Sequence, residues 1–217
     1  MLTIKVGARD SKLSQCQVAE VLSELTCYYP HVVFDSYFIK TTGDLDQITS
    51  LMHKDKTDFF TKEVDQLVLS GRCDVGIHSA KDLPEQLPSG LCIYAITKGV
   101  DASDSLVFRL GDTLKTLPFQ AKVGVSSLRR IEMVKALRND LIPVDIRGTI
   151  QQRLSLLDKK VIDAAVIAEA ALIRLGLTHL PRYIFQEKSA HLQGRLAIIG
   201  RQDNHLMHDV FKTLCID

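Results

Sequence analysis

The sequence predicts an α/β protein in which parallel strands alternate with helices. Short apolar segments rich in β-branched residues recur along the chain, and helical spacing of apolar residues follows most of them. At 217 residues, the chain also exceeds the usual domain size of roughly 100–150 residues. We therefore expect two lobes, each with a parallel sheet that carries helices on its faces.

The first part of the chain predicts four strands and two helices. The strands are residues 2–7, 32–39, 73–78 and 91–96. Ser11 is a suitable N-cap for a helix that ends before Pro30, and Gly71 is a suitable end for a second helix over residues 58–70. Residues 41–57 are polar and irregular, which predicts a loop.

The second part, from residue 105, continues the alternation. Its strands are residues 105–110, 122–125, 142–146, 163–167 and 196–199. Its helices are residues 128–137, 150–157, 169–175 and 204–214. Polar stretches at 98–103 and 181–193 interrupt the pattern and predict linkers. We therefore expect lobe one to comprise residues 1–97 with 188–217, and lobe two to comprise residues 98–187.

Composition restricts the partners of the protein. The formal net charge is only +1, whereas a protein that neutralises many phosphates is normally more basic. No apolar run reaches the roughly 20 residues that span a bilayer, and the first residues lack a signal-peptide pattern. The five cysteines are scattered without a CxxC pair, which argues against a disulfide framework and a metal site. We expect a cytoplasmic monomer that binds neither nucleic acid nor membrane.

Two strand-to-helix junctions of the second lobe carry arginine. The segment Gly-Val-Ser-Ser-Leu-Arg-Arg at 124–130 contains the first, and Asp-Ile-Arg-Gly-Thr at 145–149 contains the second. A helix start offers unpaired N–H groups, and the arginine fork fits a carboxylate or a phosphate. Two such junctions, with Arg153 and Arg174 downstream, predict a site for a ligand with several negative groups. The alternative interpretation is solvated surface charge, which is the usual state of a single arginine.

The first lobe has a polar turn after a strand, with Ser79, Lys81 and Asp82 close together. Lysine can contact an anion, and an ionised carboxylate can stabilise a developing cation. The alternative is an ordinary polar turn that ends a strand. We interpret the neighbouring His78 as a structural side chain. Arg9 and Ser11 also follow a strand and precede a helix, as do the arginine junctions of the second lobe. The alternative interpretation of this segment is an ordinary helix start.

In this order and at this spacing, the motifs resemble those of porphobilinogen deaminases, also called hydroxymethylbilane synthases. The matching stretches are residues 7–17, 42–44, 78–84, 124–130, 147–148 with 153, 163–165 and 172–177. The resemblance implies a two-lobed fold of the type II periplasmic-binding-protein kind, with a ligand cleft between the lobes and a third, C-terminal domain. It also implies a role in heme biosynthesis: four porphobilinogen units are joined head to tail into linear hydroxymethylbilane, with release of ammonia.

The resemblance further assigns roles to residues. Each pyrrole carries an acetate and a propionate, so the growing chain is a polyanion. Asp82 would contact pyrrole N–H groups and stabilise the cationic methylene-pyrrolenine that forms when ammonia leaves. Lys81, which is assigned to catalysis together with Asp82, would hold carboxylates. Eleven further residues would bind substrate, linear pyrrole intermediates or cofactor: Arg9, Ser11, Ser79, Ser126, Ser127, Arg129, Arg130, Arg147, Gly148, Arg153 and Arg174.

Three departures from the family pattern stand out. The family cofactor, dipyrromethane, is held by a cysteine of the third domain, but this sequence ends about where that domain begins. We therefore expect the attachment domain to be absent and assign no attachment cysteine, since the surroundings of Cys215 do not match. Residues 52–58 lack the glycines of the family's active-site loop. Val125 replaces a threonine, and residues 192–195 differ from the family's glycine-rich stretch.

Three functions follow from these observations. The leading hypothesis is the enzyme, because a protein that only bound carboxylates would have little need for Asp82. A second is a non-catalytic two-lobed binder of linear pyrroles or other polycarboxylates. A third is a generic type II solute-binding or effector domain, against which the specific Lys-Asp and Arg-Arg motifs count.

Overall fold

Two five-stranded sheets organise the chain, one in each of two units. The structure is a computed structural model that describes residues 2–46, 49, 50, 52, 58–187 and 189–215. The first unit comprises Met1–Leu45, Lys56–Val100 and Leu192–Asp217, and the second comprises Asp46–Asp55 and Asp101–His191. The division inferred from the sequence, with boundaries at 97/98 and 187/188, stays a prediction.

The elements of the described residues follow in chain order. The strands are β1 Thr3–Arg9, β2 Val33–Ile39, β3 Val75–Ser79, β4 Leu91–Ile96, β5 Asp104–Phe108, β6 Lys122–Val125, β7 Ile142–Asp145, β8 Ala164–Ala168, β9 Arg182–Ile184 and β10 Leu196–Arg201. The helices are α1 Lys12–Tyr28, α2 Thr42–Leu45, α3 Lys62–Leu69, α4 Leu128–Leu137, α5 Ile150–Asp158, α6 Glu169–Arg174 and α7 His205–Lys212. None of the helices in this part of the chain is long and apolar enough to cross a membrane.

The sheet of the first unit has the strand order β2-β1-β3-β10-β4, with β1 parallel to both β2 and β3. Ser11 begins α1 by accepting a hydrogen bond from the backbone N–H three residues further on. Val21 and Leu25 of α1 are fully buried and share one core with Ile4 and Val6 of β1. Because β1 and β3 are parallel, their carboxyl ends lie at the same edge of this sheet.

The sheet of the second unit has the strand order β7-β6-β8-β5-β9, with β6 parallel to β7 and β8. Every residue of β5 and β8 is buried, as expected for strands covered on both faces. Val123 and Val125 of β6 share a core with Met133 and Val134 of α4. The carboxyl ends of β6 and β7 lie side by side, since Val125 pairs with Asp145.

Both sheets contain the expected parallel strands, but each also contains antiparallel strands that the alternation of strand and helix did not predict. Strand β10 runs antiparallel to β3 and β4, and β5 runs antiparallel to β8 and β9. Alternation of strand and helix determines direction only where a crossover helix joins two neighbouring strands, as α1 joins β1 to β2. Strands β5, β9 and β10 have no such crossover, and β9 lies in a stretch predicted as a linker.

Two local predictions in the first unit are also wrong. The predicted loop contains α2, because the Asp44 carboxylate accepts hydrogen bonds from the backbone N–H and the hydroxyl of Thr41. The helix predicted over 58–70 is divided into a 3-10 turn, Asp58–Phe60, and α3. Phe60 packs beneath Arg9 and against Gly43, and these tertiary contacts override the helical spacing of its segment.

Candidate functional site

The turn after β3 is a 3-10 turn over Ala80–Asp82 that is held by three hydrogen bonds from two neighbouring segments. Ser79 Oγ accepts a hydrogen bond of 2.9 Å from Gln17 Nε2 of α1. Lys81 Nζ donates to Gln193 Oε1 at 3.3 Å, and the Ala80 backbone N–H donates to the carbonyl of residue 195 at 3.0 Å. The residues that lead into Asp82 are therefore restrained by α1 and by the segment before β10.

Asp82 differs from its neighbours because its carboxylate has no hydrogen-bond or ion-pair partner among the described residues. The residue is half-buried, and the next one, Leu83, is anchored in the core with 6% exposure. A carboxylate that is restrained through its backbone and carries no protein partner can accept hydrogen bonds from a ligand. It can also stabilise a positive charge that develops beside it.

Arg9, the last residue of β1, has partners of its own. Its guanidinium forms an ion pair with Asp44, with Nε 3.3 Å from Oδ2, and its Cζ lies 4.4 Å from the centre of the Phe60 ring. Burial opposes the ionisation of Asp44, but Arg9 and the donors of Thr41 keep the pKa of its carboxyl below the usual value. Arg9 and the capping Ser11 thus have structural partners at the edge that carries the Lys-Asp turn.

In the second unit, Ser126 and Ser127 follow β6 and carry out different tasks. Ser127 is the N-cap of α4, and its Oγ accepts from the backbone N–H of Arg130 at 3.4 Å. Ser126 Oγ accepts from Arg130 Nη1 and from Arg153 Nη1, each at 3.2 Å. Ser126 therefore connects the start of α4 to a side chain of α5.

The consecutive arginines of α4 share one buried carboxylate. Arg129 Nη2 donates to Asp104 Oδ2 at 2.5 Å, and Arg130 Nη2 donates to Asp104 Oδ1 at 2.6 Å. The Asp104 side chain has no exposed surface, whereas that of Arg129 is 29% exposed and that of Arg130 is 7% exposed. Burial opposes ionisation, but the two guanidinium groups lower the pKa of Asp104 to about 2.

The junction after β7 has a tight backbone that serves α5. Gly148 has φ +93°, a conformation that favours glycine, and its carbonyl accepts from Arg153 Nε at 2.9 Å. Thr149 and Gln152 then form a reciprocal capping box at the start of α5. Arg147 Nη2 donates to the backbone carbonyl of Asp46 at 2.9 Å.

The structure thus groups most of the predicted residues at strand ends. The first-unit cluster consists of Arg9, Ser11, Ser79, Lys81 and Asp82. The second-unit cluster consists of Ser126, Ser127, Arg129, Arg130, Arg147, Gly148, Arg153 and the carboxylate of Asp104. Arg174 is the last residue of α6, about 8 Å along that helix from the end of β8. Four arginines against one aspartate make the second-unit cluster suited to anionic ligands.

Sequence reasoning did not assign a role to several residues that organise these clusters. Asp44 belongs to the matching stretch 42–44, so a role for it at the site could have been inferred from the sequence. Asp104 stands just after a stretch interpreted as a linker, and nothing in its neighbourhood marks it as a partner for arginine. Gln17 ends the matching stretch 7–17 and Gln193 lies in the divergent residues 192–195, but no role was assigned to either side chain. Of the altered loop at 52–58, residues 53–57 lie outside the described residues.

Known structures with a similar arrangement of strands and helices define the fold class of this chain. A periplasmic substrate-binding protein of an ABC transporter from Coxiella burnetii aligns with a TM-score of 0.60 and 13% identity, over 97% of this chain and 91% of that one. An arginine-transport periplasmic binding protein from Legionella pneumophila aligns with a TM-score of 0.51 and 13% identity, over 98% of this chain and 92% of that one. The predicted two-lobed α/β class of periplasmic-binding-protein type is confirmed.

Sequence comparison identifies the family. Residues 4–209 match the family described as "Porphobilinogen deaminase, dipyromethane cofactor binding domain". A probable porphobilinogen deaminase from Chlamydia trachomatis is 41% identical, over 98% of this chain and 87% of that protein. The porphobilinogen deaminase from Syntrophomonas wolfei is 37% identical, over 99% of this chain and 70% of that protein. This chain belongs to the porphobilinogen deaminase family, whose cofactor is dipyrromethane.

Proposed function

We propose that this chain is a transferase of tetrapyrrole and heme biosynthesis that joins four porphobilinogen units into hydroxymethylbilane and releases ammonia. Family membership supports this function. The structural observation that carries it is Asp82, a half-buried carboxylate on a restrained turn that has no partner among the residues that the structure describes. A site that only bound carboxylates would place cations at this position, because a second carboxylate would repel its ligand.

The reaction needs a carboxylate of this kind at its cationic stage. When the bond between the aminomethyl carbon and its protonated amino group breaks, the nitrogen leaves with both bonding electrons as neutral ammonia, and positive charge spreads over the pyrrole ring. The free α-carbon of the terminal pyrrole of the growing chain then forms the new carbon–carbon bond to the cationic methylene carbon and loses its proton to water. Asp82 stabilises the positive charge and accepts hydrogen bonds from pyrrole N–H groups. Lys81, restrained through Gln193, would place an ammonium group beside the substrate carboxylates.

The arginines would hold the acetate and propionate groups. Arg129 has the more exposed side chain of the Arg-Arg pair, and Arg153 is orientated through Nε by the Gly148 carbonyl and through Nη1 by Ser126. A fork that is already fixed loses less side-chain entropy when it binds a carboxylate. The residues proposed for this task are Arg9, Ser11, Ser79, Ser126, Ser127, Arg129, Arg130, Arg147, Gly148, Arg153 and Arg174.

The residues of the second-unit cluster fit the dipyrromethane cofactor, which carries carboxylates of the same kind. Arg130 Nε is buried and has no hydrogen-bond partner in the described part of the chain, so the cluster retains donor capacity. Arg129, Arg130 and Arg153 would hold the carboxylates of this group, which supplies the pyrrole end to which substrate units are added. The five cysteines are free, and we assign none of them as the attachment point.

We also propose that the protein acts as a cytoplasmic monomer without nucleic-acid or membrane partners. The near-neutral net charge of +1 supports the absence of a nucleic-acid partner, since a protein that neutralises many phosphates is normally more basic. Analytical ultracentrifugation of the purified chain at micromolar concentrations tests the monomeric state.

Ammonia release from porphobilinogen by the Asp82→Asn variant tests the function. We expect turnover to fall by about 100- to 1,000-fold, because removal of one well-placed electrostatic group has this effect. The control is Glu85→Gln, an exposed carboxylate three residues further along, which should retain wild-type turnover. Unfolding by urea should be unchanged in both variants. Tight binding of porphobilinogen by the wild-type chain without ammonia release would overturn the proposal in favour of a non-catalytic binder.

Intact mass of the denatured wild-type chain after incubation with porphobilinogen gives a second test. Added mass that corresponds to pyrrole units would support a covalent primer and allow its attachment residue to be mapped. An unchanged mass together with ammonia release would support catalysis from a primer that is not covalently held.

A further inference from the structure

The carboxylate of Asp104 lies in an unusual position for a buried acid. It is at the first residue of β5, its side chain has no exposed surface, and each of its oxygens accepts from a different arginine. The two arginines are consecutive residues in the first turn of α4. One carboxylate therefore controls the directions of two neighbouring guanidinium groups.

Electrostatics explains why such an acid is needed. Two guanidinium groups that are close together repel each other, and the repulsion is strongest where water is excluded. Arg130 is nearly buried, so its charge requires a compensating partner inside the unit. Asp104 supplies one negative charge against two positive charges, which leaves a net charge of about +1 for a ligand anion.

The two arginines differ in what they can offer to a ligand. Arg130 also donates to Ser126, so it is held between two acceptors and has only 7% of its side chain exposed. Arg129 is 29% exposed and contacts the sulfur of Met133 at 2.8 Å in addition to Asp104. Arg129 is therefore the member of the pair that reaches solvent, and Asp104 Oδ2 orientates it.

We propose that Asp104 is a positioning residue that holds the Arg129–Arg130 pair in the geometry that receives a carboxylate of the pyrrole substrate. This inference rests on the proposed function. Asp104 touches no ligand itself and acts through the guanidinium of Arg129. Loss of its charge should therefore affect substrate affinity more than the chemical step, because the proposed function assigns stabilisation of the cation to Asp82 and not to the arginine pair.

The Asp104→Asn variant, compared with Glu169→Gln, tests the proposal. Glu169 is a matched control because it is also a buried acid of the second unit that binds an arginine, Arg182, through Nε at 2.9 Å and Nη2 at 2.7 Å. Both variants are expected to unfold at lower urea concentrations, and kinetics are measured where each is still folded. We expect Asp104→Asn to raise the KM for porphobilinogen by about 10- to 100-fold, with less than about a threefold change in kcat. Glu169→Gln should leave KM within about twofold of the wild-type value.

A double-mutant cycle with Arg129→Gln measures whether the effects of the two substitutions on KM are coupled. A purely structural role of Asp104 would not produce this coupling. If Asp104 acts through Arg129, the double variant should have nearly the same KM as Arg129→Gln alone. Additive effects in the cycle, or an equal rise of KM in Glu169→Gln, would refute the positioning role.

Failure of the proposed function can be distinguished from failure of this inference. If the wild-type chain binds porphobilinogen without turnover, calorimetric Kd values replace KM in the same comparison. A raised Kd in Asp104→Asn alone would then support the positioning role while the catalytic proposal fails. Unchanged binding in Asp104→Asn would overturn the positioning role, as would a wild-type chain that does not bind porphobilinogen at all.

Discussion

His78 Nε2 lies 3.2 Å from Asp65 Oδ1, and both side chains are only 2% exposed. His78 belongs to β3, directly before the Ser79 that leads into the Lys-Asp turn, whereas Asp65 belongs to α3. The pair therefore joins a helix to the strand whose end carries Asp82. This geometry agrees with the interpretation of His78 as a structural side chain.

We predict that Asp65→Asn lowers the free energy of unfolding by about 1–3 kcal/mol, because it leaves a buried polar partner poorly compensated. Urea unfolding at neutral pH measures the loss. The control is Asp209→Asn, since Asp209 also neighbours a histidine, His208 at 3.7 Å, but is 80% exposed. That variant should change stability by less than about 0.5 kcal/mol. Equal losses in the two variants would show that burial of the Asp65–His78 pair contributes nothing.

The lowered pKa of Asp104 also predicts how the stability of the folded protein depends on pH. The Arg130 and Arg129 guanidinium groups outweigh the effect of burial and lower its pKa from 3.8 to about 2. Because the pKa is lower in the folded state, the stabilisation is fully present above about pH 4 and is lost as the pH falls through about 2. The shift corresponds to about 2 kcal/mol.

The comparison of wild type with Asp104→Asn isolates this contribution, because all other acids titrate in both proteins. We expect the difference in unfolding free energy between the two to shrink by about 2 kcal/mol between pH 5 and pH 2. Urea titrations at several pH values in this range measure it. A difference that stays constant over the range would mean that Asp104 does not titrate in the expected way.

Contacts of the site between residues close together in the sequence could be predicted, whereas contacts between residues far apart in the sequence could not. Ser127 and Thr149 cap helices through residues three positions away, so local spacing was enough to mark both junctions. The partners of the arginines are distant in the chain: Asp104 is 25 residues from Arg129, and Asp44 is 35 residues from Arg9. No local pattern identifies such pairs, so the same residues were predicted only as ligand contacts.

The directions of β5, β9 and β10 were unpredictable for a similar reason. Each pairs with strands to which no crossover helix connects it, and its own residues do not record which way its neighbour runs. Leu196 to Gly200 of β10 are apolar and buried, which indicates a central strand, but burial is the same for either direction. Thus the sequence predicted the strands and helices of each unit more fully than it predicted how the strands pair.

Gly148 provides the last prediction. An added Cβ at this position would lie 2.5 Å from Gln152 Oε1, the atom that accepts the Thr149 backbone N–H in the capping box. Gly148→Ala should therefore strain the backbone at φ +93° and displace the first turn of α5, which carries Arg153.

The control is Gly111→Ala: Gly111 has φ +89°, but an added Cβ would meet nothing within 4 Å. Both variants bear the cost of positive φ, about 1 kcal/mol, so their difference isolates the contact with Gln152. We expect Gly148→Ala to lower the free energy of unfolding, measured in urea, by about 1 kcal/mol more than Gly111→Ala does. Gly148→Ala should also raise the KM for porphobilinogen, whereas Gly111→Ala should keep the wild-type KM. Indistinguishable variants would exclude the capping box as the device that orientates Arg153.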